Sequence, residues 1–392
     1  MKGSPHLAWP LPSGELRLVP SSGESYRAFV PHGVAAGKPF ELRGADALLA
    51  DESRGALARL DGLSHVVPDA NLFITMYLRK EALLSAQIEG TQSSLSDVLL
   101  FEGDEAADDA DAVDVTDYVA ALHFGIDQLR HLPLSMRLFN EIHARLLLNG
   151  RGRERQPGVI RTSQNWIGGT RPGNARFVPP PPADVAGCLA DLEHYLNDPE
   201  SMELPLVRVA RAHAQFETIH PYLDGNGRLG RLLITLCLIS FGIIEAPLLY
   251  LSLYMKQHRD VYYELLQRTR THSDWDSWIR FFLEGVRDTA RQATQTAERI
   301  VQLFRDDRSR IAGRRSSATL QRLYDMLQST PILSVTRAAR LTGMSHPTTM
   351  KGFESLACLG LVCELTGQRR GRIFEYAGYL DLLREGTDPL PR

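Results

Sequence analysis

The chain has 392 residues, 43% of them hydrophobic and 23% charged, and a formal net charge of -3. That length suggests two or three domains with ample material for a buried core. The near-neutral balance provides no global field for nucleic acid or a membrane surface, so any such binding must be local. The longest apolar run, Leu232 to Ile244, contains Ser240 and Gly242. It falls well short of the roughly 20 residues a membrane span needs and reads as a buried core helix. The N-terminus lacks a basic start followed by an apolar block, so no export signal is read and a cytoplasmic protein is expected. Cysteines at 188, 237, 358 and 363 form no C-x-x-C pair and are expected to be small buried hydrophobes in a reducing compartment.

Residues 1 to about 45 are rich in Pro and Gly, with short strand candidates such as Leu16 to Val19, and an irregular N-terminal arm is expected over 1–60. A helical pattern starts near Ala45. From Leu72 to Ile88 apolar residues recur at helical spacing and stop at Gly90. Eight carboxylates between Glu102 and Asp117 read as a solvated acidic connector into a helix at Tyr118, so that 61–117 forms an N-terminal helical region. Residues 118–290 are expected to be a mainly helical core, interrupted at 161–182. There, two short apolar arms flank a Gly/Pro/Asn turn, with prolines at 179 to 182 behind it, which predicts a β-hairpin standing out as a flap.

A linker helix is expected over 291–314 and a separate domain over 315–385. In that domain, helices around Leu320 to Leu327, Val335 to Leu341 and Ser345 to Leu359 precede a hairpin with the basic tip Gly367 to Gly371. Three helices and a hairpin make the winged-helix pattern.

The densest cluster runs from His220 through Pro221, Tyr222, Leu223, Asp224, Gly225, Asn226, Gly227, Arg228, Leu229 and Gly230 to Arg231, in a loop between two apolar helices. Pro221 ends the first helix, so the His220 imidazole sits at a helix terminus facing the loop. Gly225, Asn226 and Gly227 can take positive φ and turn successive amides toward one point, at the positive end of the next helix. Arg228 and Arg231, three apart, can hold adjacent phosphates, and Asp224 can bring Mg²⁺ against them. Together these groups suit phosphoryl or nucleotidyl transfer. A tight interhelical turn with surface arginines is the structural alternative. His213, inside the preceding helix, reads as a packed core residue.

The cluster resembles the signature of the Fic family of protein adenylyltransferases. Two further segments are similar to that family: Asn165, Trp166, Ile167 and Gly168 with Phe177, Val178, Pro179 and Pro180 resemble its target-binding flap, and Ser85 with Glu89 and Gly90 resembles its inhibitory motif. The resemblance implies a mainly α Fic-type helical bundle that transfers AMP from Mg-ATP to Ser, Thr or Tyr hydroxyls of proteins, itself included. His220 would be the general base, and Asp224 would hold Mg²⁺. Gly225, Asn226 and Gly227 would bind phosphate oxygens, and Arg228 and Arg231 the β- and γ-phosphates. Gln215 is a nucleotide-contact candidate, as is His258, which stands where an asparagine is expected. Glu89 would reach Arg231 and displace the γ-phosphate, and it could position water for removal of AMP. A homodimer is plausible by the same similarity.

A different class of function comes from the C-terminal pattern: a nucleotide-sensing, DNA-binding regulator. Thr348, Thr349 and Lys351 would lie early in the recognition helix, with Arg369, Arg370 and Arg372 on the wing. The same module can also bind a protein partner.

Overall fold

In the computed structural model the described residues are 13–20, 24–34, 39–64, 70–103, 109–314 and 317–391. In chain order they form β1 (Gly14–Val19), β2 (Tyr26–Pro31), α1 (Ala45–Leu63), α2 (Ala70–Ile88), α3 (Leu95–Glu102), α4 (Ala110–Gln128), α5 (Met136–Leu146), α6 (Pro182–Asn197), α7 (Pro205–Ile219) and α8 (Asn226–Ser240). There follow α9 (Ser252–Gln257), α10 (Arg259–His272), α11 (Trp275–Ala312), α12 (Ser317–Ser329), β3 (Ile332–Ser334), α13 (Val335–Thr342), α14 (His346–Cys358), β4 (Cys363–Glu364), β5 (Ile373–Glu375) and α15 (Ala377–Arg384). The chain is mainly α-helical, as expected.

Two compact units divide it. The first holds the described residues within Met1–Ala58, together with Asp117–Pro247 and Tyr254–Thr289. Its centre is the helix pair α7 and α8, whose residues are buried on almost every side, as a helix in the middle of a core must be. The two backbones approach closely at Gly230, where a β-carbon would lie 2.4 Å from Glu217 Oε1. Trp278 of α11 is fully buried and donates its indole N–H to Ala210 O of α7 (2.8 Å).

Residues 14–31 are not an irregular arm. β1 and β2 pair antiparallel from Gly14 opposite Pro31 to Val19 opposite Tyr26, and β2 turns Ala28 and Phe29 inward. Phe29 then packs on Phe177, with Leu16 and Ile167 against them.

The second unit holds the described residues within Arg59–Thr116, Leu248–Leu253 and those within Ala290–Arg392. Its helix α2 carries buried polar groups, each with an acceptor or donor close by, as burial requires. Lys80 Nζ donates to Glu385 O (2.9 Å), Gln87 Nε2 to Ser93 O and Thr387 O, and Glu81 accepts from Ser252 N (3.0 Å) and Oγ. Toward the C-terminus, α12, α13 and α14 accompany a three-stranded antiparallel sheet in the order β3-β5-β4. Phe353 stacks on Phe374 at 4.7 Å in its core.

Several local expectations are corrected. The acidic segment does not remain a solvated connector up to Tyr118: α4 begins at Ala110, Asp109 caps it by accepting the amides of Asp111 and Ala112, and Asp114 and Asp117 are buried. Asp117 accepts the Asn149 and Gly150 amides at 2.7 and 3.0 Å, which gives its burial a purpose. Asp104, Glu105 and Asp108 lie outside the described residues. The stretch 291–314 is no separate linker helix, since α11 runs unbroken through Trp275–Ala312. Cys188 and Cys237 are buried, but Cys358 and Cys363 are exposed, one at the end of α14 and one in an edge strand.

Candidate active site

The functional cluster lies wholly in the first unit. α7 ends at Ile219, and His220 caps it with φ +49°, a left-handed conformation that a side-chain-bearing residue adopts at a cost. This turn swings the chain out of the helix and leaves the imidazole half-buried at the loop. Gly225, φ +75°, then opens α8. A β-carbon there would sit 3.3 Å from both His143 Nε2 and Leu147 Cδ2, so lack of a side chain serves both conformation and space. Positive φ is confined to Gly225 within the Gly-Asn-Gly triplet. Asn226 and Gly227 are instead the first residues of α8, whose opening amides have no intrahelical acceptor. The turn expected as a three-residue nest is therefore a helix N-terminus behind one left-handed glycine.

Asn226 is 2% exposed, and its side chain closes the loop on itself: Oδ1 accepts Tyr222 N–H (2.9 Å) and Nδ2 donates to Tyr222 O (2.8 Å). Arg228 and Arg231, on the first turns of α8, are buried at 5% and 1% exposure, and Arg228 Nη2 reaches Arg151 O (3.4 Å). Asp224 is exposed. Its Oδ1 accepts the Gly225 amide (2.6 Å), and Gly152 lies against its other oxygen, where a β-carbon would come within 2.8 Å.

Tyr222 within the motif and His143, Arg161 and Asn165 outside it shape this loop. Tyr222 is buried, donates its hydroxyl to Asn140 Oδ1 (2.7 Å) and stacks on His143 at 3.8 Å between centroids and 10° between planes. His143 Nδ1 accepts the Gly158 amide (2.8 Å), so its proton resides on Nε2, which donates to Asp224 O (2.9 Å). Burial lowers its pKa from the ordinary 6.5 to about 4. Arg161, 1% exposed, donates Nε to His220 O (2.9 Å) and Nη2 to Pro180 O (2.6 Å), and burial lowers its pKa to about 10. Asn165 Nδ2 donates to His220 O (3.2 Å) and Tyr222 O (2.9 Å). Sequence reading missed Arg161 and His143. An arginine at the base of a flap and a histidine 77 positions before His220 carry no motif, and only the backbone acceptors they meet reveal them.

The flap is slighter than a hairpin of two strands. Ile167 and Phe177 form a single antiparallel bridge, with N–H···O distances of 2.8 and 3.1 Å, around a 3₁₀ turn at Pro172–Asn174. Trp166 is 39% exposed, Ile167 half-buried and Gly168 exposed with φ +69°, whereas Phe177 and Val178 are buried. Val178 O accepts the Phe29 amide (2.9 Å), which joins the flap to β2.

The other expected site residues are outside the 220–231 loop in sequence. Gln215 is buried on α7, and its amide donates to His32 O (3.0 Å), just past the end of β2. His258 is the exposed N-cap of α10, its ring 4.4 Å from that of Tyr254. His213 is the core residue expected: Nδ1 donates to Gly230 O (2.8 Å), Nε2 accepts from Tyr262 Oη (3.0 Å), and burial lowers its pKa to about 3. Glu89, in the second unit, follows the last residue of α2 in an exposed turn with Gly90 at φ +99°. Thr348 is exposed, but Thr349 is buried and bonds back to Ser345 O. Lys351, Arg369 and Arg370 are exposed, while Arg372 pairs with Glu354 (3.3 Å) and lies over Phe374.

Residues 48–127 match the profile of the Fic/DOC family N-terminal region, and residues 133–238 that of the Fic/DOC family itself. The chain therefore carries a Fic/DOC N-terminal region followed by a Fic/DOC domain. The Fic match contains the flap and the whole of the 220–231 loop. A protein of Drosophila grimshawi named protein adenylyltransferase Fic is 28% identical over 250 residues, which is 61% of this chain and 47% of that relative. A Caenorhabditis briggsae protein named protein adenylyltransferase fic-1 is 36% identical over 113 residues, 29% of this chain and 20% of the relative. The chain thus spans about half the length, or less, of the curated relatives it matches. Among solved structures, a Fic family protein from Desulfovibrio desulfuricans has a TM-score of 0.57 at 19% identity, over 87% of this chain and 98% of its own. A Fic domain containing signaling protein from Bacteroides thetaiotaomicron scores 0.52 at 16% identity, over 64% of this chain and 97% of its own. These two structures support the Fic fold. Among the described residues no helix is long and apolar enough to cross a membrane.

Proposed function

We propose that this Fic protein transfers AMP from Mg-ATP to a hydroxyl of Ser, Thr or Tyr in protein targets, and to itself. The observation that carries the reading is the junction of α7 and α8. A left-handed His220 there leads through a short loop to a helix N-terminus whose first two turns bear the buried Arg228 and Arg231. An imidazole titrates near neutrality and suits removal of the hydroxyl proton as the oxygen attacks the α-phosphorus. The bond to the bridging oxygen breaks, and pyrophosphate departs. The α8 amides and the two guanidinium groups would take up the charge on the phosphates.

Asp224 is suited to Mg²⁺ that arrives with the nucleotide. It is an exposed carboxylate beside the proposed phosphate-binding turn, where Mg²⁺ would be shared between one carboxylate and phosphate oxygens. Bound there, Mg²⁺ would offset phosphate charge. The names of the curated relatives, protein adenylyltransferase Fic, support AMP as the transferred group.

The partly exposed flap edge at Trp166, Ile167 and Gly168 would pair with an extended target segment through main-chain groups, a mode that tolerates many sequences. Glu89 restrains the reaction and could also position water for AMP removal. His258 bears on nucleotide preference, and a homodimer in the cytoplasm is the proposed setting. The three helices and sheet at the C-terminus serve as a winged-helix binding module. Lys351, Arg369 and Arg370, all exposed, also support the second reading, a nucleotide-sensing regulator that binds DNA.

The test is incubation of wild-type, Glu89→Gly and His220→Ala proteins with Mg²⁺ and α-labelled ATP. Label strong in Glu89→Gly, weak in wild type and absent from His220→Ala is expected. No label in any of them, on itself or on lysate proteins, while ATP still binds, would overturn AMP transfer and turn attention to salt-dependent DNA binding.

A further inference from the structure

We propose that Arg161 is a positioning residue that sets the register between the flap and His220. The inference rests on the reading of His220 as the base and of the flap as the segment that presents the target hydroxyl.

The Arg161 side chain is buried, yet its described acceptors are all backbone carbonyls and include no carboxylate: His220 O (2.9 Å), Ile219 O (3.4 Å), Ser163 O (3.3 Å) and Pro180 O (2.6 Å). Its own amide donates to Pro221 O (3.0 Å). A buried cation without a counter-charge is an expensive way to fill space, so its placement calls for what those four bonds accomplish. Two of the acceptors are the last turn and cap of α7. The other two flank the flap, one before its bridged residue Ile167 and one after its bridged residue Phe177. A guanidinium is a rigid planar fork with five donors, so it fixes these four oxygens relative to one another in a way a point-like ammonium cannot.

The consequence falls on His220. Its φ of +49° is disfavoured for a residue with a β-carbon, and the conformation persists only if surrounding groups hold it. Arg161 Nε and Asn165 Nδ2 both donate to its carbonyl, so the peptide that follows the imidazole is gripped from two sides. Asn165 itself belongs to the flap and also donates to Tyr222 O (2.9 Å), beyond His220. The flap edge and the base therefore move as one piece, and a hydroxyl held on the first is delivered at a fixed distance from the second.

The experiment uses the full chain with Arg161→Lys, and reads AMP transfer from α-labelled ATP, ATP affinity, and the ring NMR signals of labelled histidine assigned with His220→Ala. Arg161→Lys is expected to lower kcat about 10- to 100-fold, the scale of a small misplacement of reacting groups, with KM and Kd for Mg-ATP within about two-fold. The His220 ring signal should shift or broaden while those of His143 and His213 stay in place. An unchanged kcat with an unchanged His220 signal would overturn the inference, as would a parallel loss of kcat and ATP affinity, which marks general damage. If wild type transfers no AMP, the reading of the reaction fails, and the His220 signal alone decides Arg161. Should Arg161→Lys not fold, Asn165→Ala removes the second grip and must show the same separation of kcat from KM, or the inference falls.

Discussion

Acid should loosen the site through one identified group, His143. Its Nδ1 is occupied by the Gly158 N–H and its Nε2 proton by Asp224 O, so a second proton would set N–H against N–H at the Gly158 contact. The folded pKa of about 4 stands against an ordinary 6.5. Since the folded value is the lower one, the unfolded chain binds the proton first as pH falls. The stabilisation is complete above 6.5, declines through the interval down to about 4, and is gone below it. At ~1.4 kcal/mol for each tenfold difference in proton affinity, the whole interval corresponds to roughly 3 kcal/mol, and the part between pH 7 and pH 5 to about 2 kcal/mol. His143→Gln isolates the effect, because a glutamine amide can accept from Gly158 and donate to Asp224 without titrating. Urea unfolding of both proteins at pH 7 and pH 5 cancels every other titrating group, His213 included. Wild type is expected to lose about 2 kcal/mol more than the variant. Equal losses would refute the assignment of the acid-sensitive contact to His143.

Other predictions concern packing and the loop. Gly230→Ala places a methyl 2.4 Å from Glu217 Oε1 and 3.2 Å from Phe216 Cδ1. It should cost about 1–3 kcal/mol by overpacking, read as a lowered Tm, and an unchanged Tm would show that α7 and α8 have room to part. Asn226→Ala releases both backbone groups of Tyr222 and should cost about 1–3 kcal/mol in urea unfolding and weaken ATP binding, whereas wild-type values for both would remove Asn226 as the lock of the loop. A thiol reagent should react promptly with Cys358 and Cys363 and with Cys188 and Cys237 only on unfolding, and four fast thiols in the native protein would contradict their burial.

The part of the site that was legible in the sequence is the part made of contiguous residues. His220 to Arg231 declares its helix break at Pro221 and its helix start after the glycine, because proline geometry and glycine conformations are local properties. The helix of Leu72 to Ile88 was legible for the same reason, since its apolar spacing is a local signal. What stayed hidden is held by partners distant along the chain. The carboxylates at 109–117 look solvated by composition, yet Asp109 caps a helix and Asp117 meets amides 32 and 33 positions later. The triplet Gly225, Asn226 and Gly227 permits positive φ throughout, but helix propagation from Asn226 claims the last two residues. The N-terminal hairpin was dimly visible at Leu16 to Val19. Its role was not, because Phe29 finds Phe177 only in three dimensions.

Four of the hydrogen bonds that brace the 220–231 loop join residues 55 to 81 positions apart: Asn165 to His220, Asn165 to Tyr222, Arg161 to His220 and His143 to Asp224. Contacts of such separation close large loops and are made late in folding, after the local helices have formed. A chain that has built α7 and α8 but not yet docked the 143–165 segment would carry the whole motif without its working shape. On the proposed AMP-transfer reading, reactivity is in this way tied to completion of the fold, and a half-formed or damaged molecule is an idle one rather than an indiscriminate modifier of its neighbours.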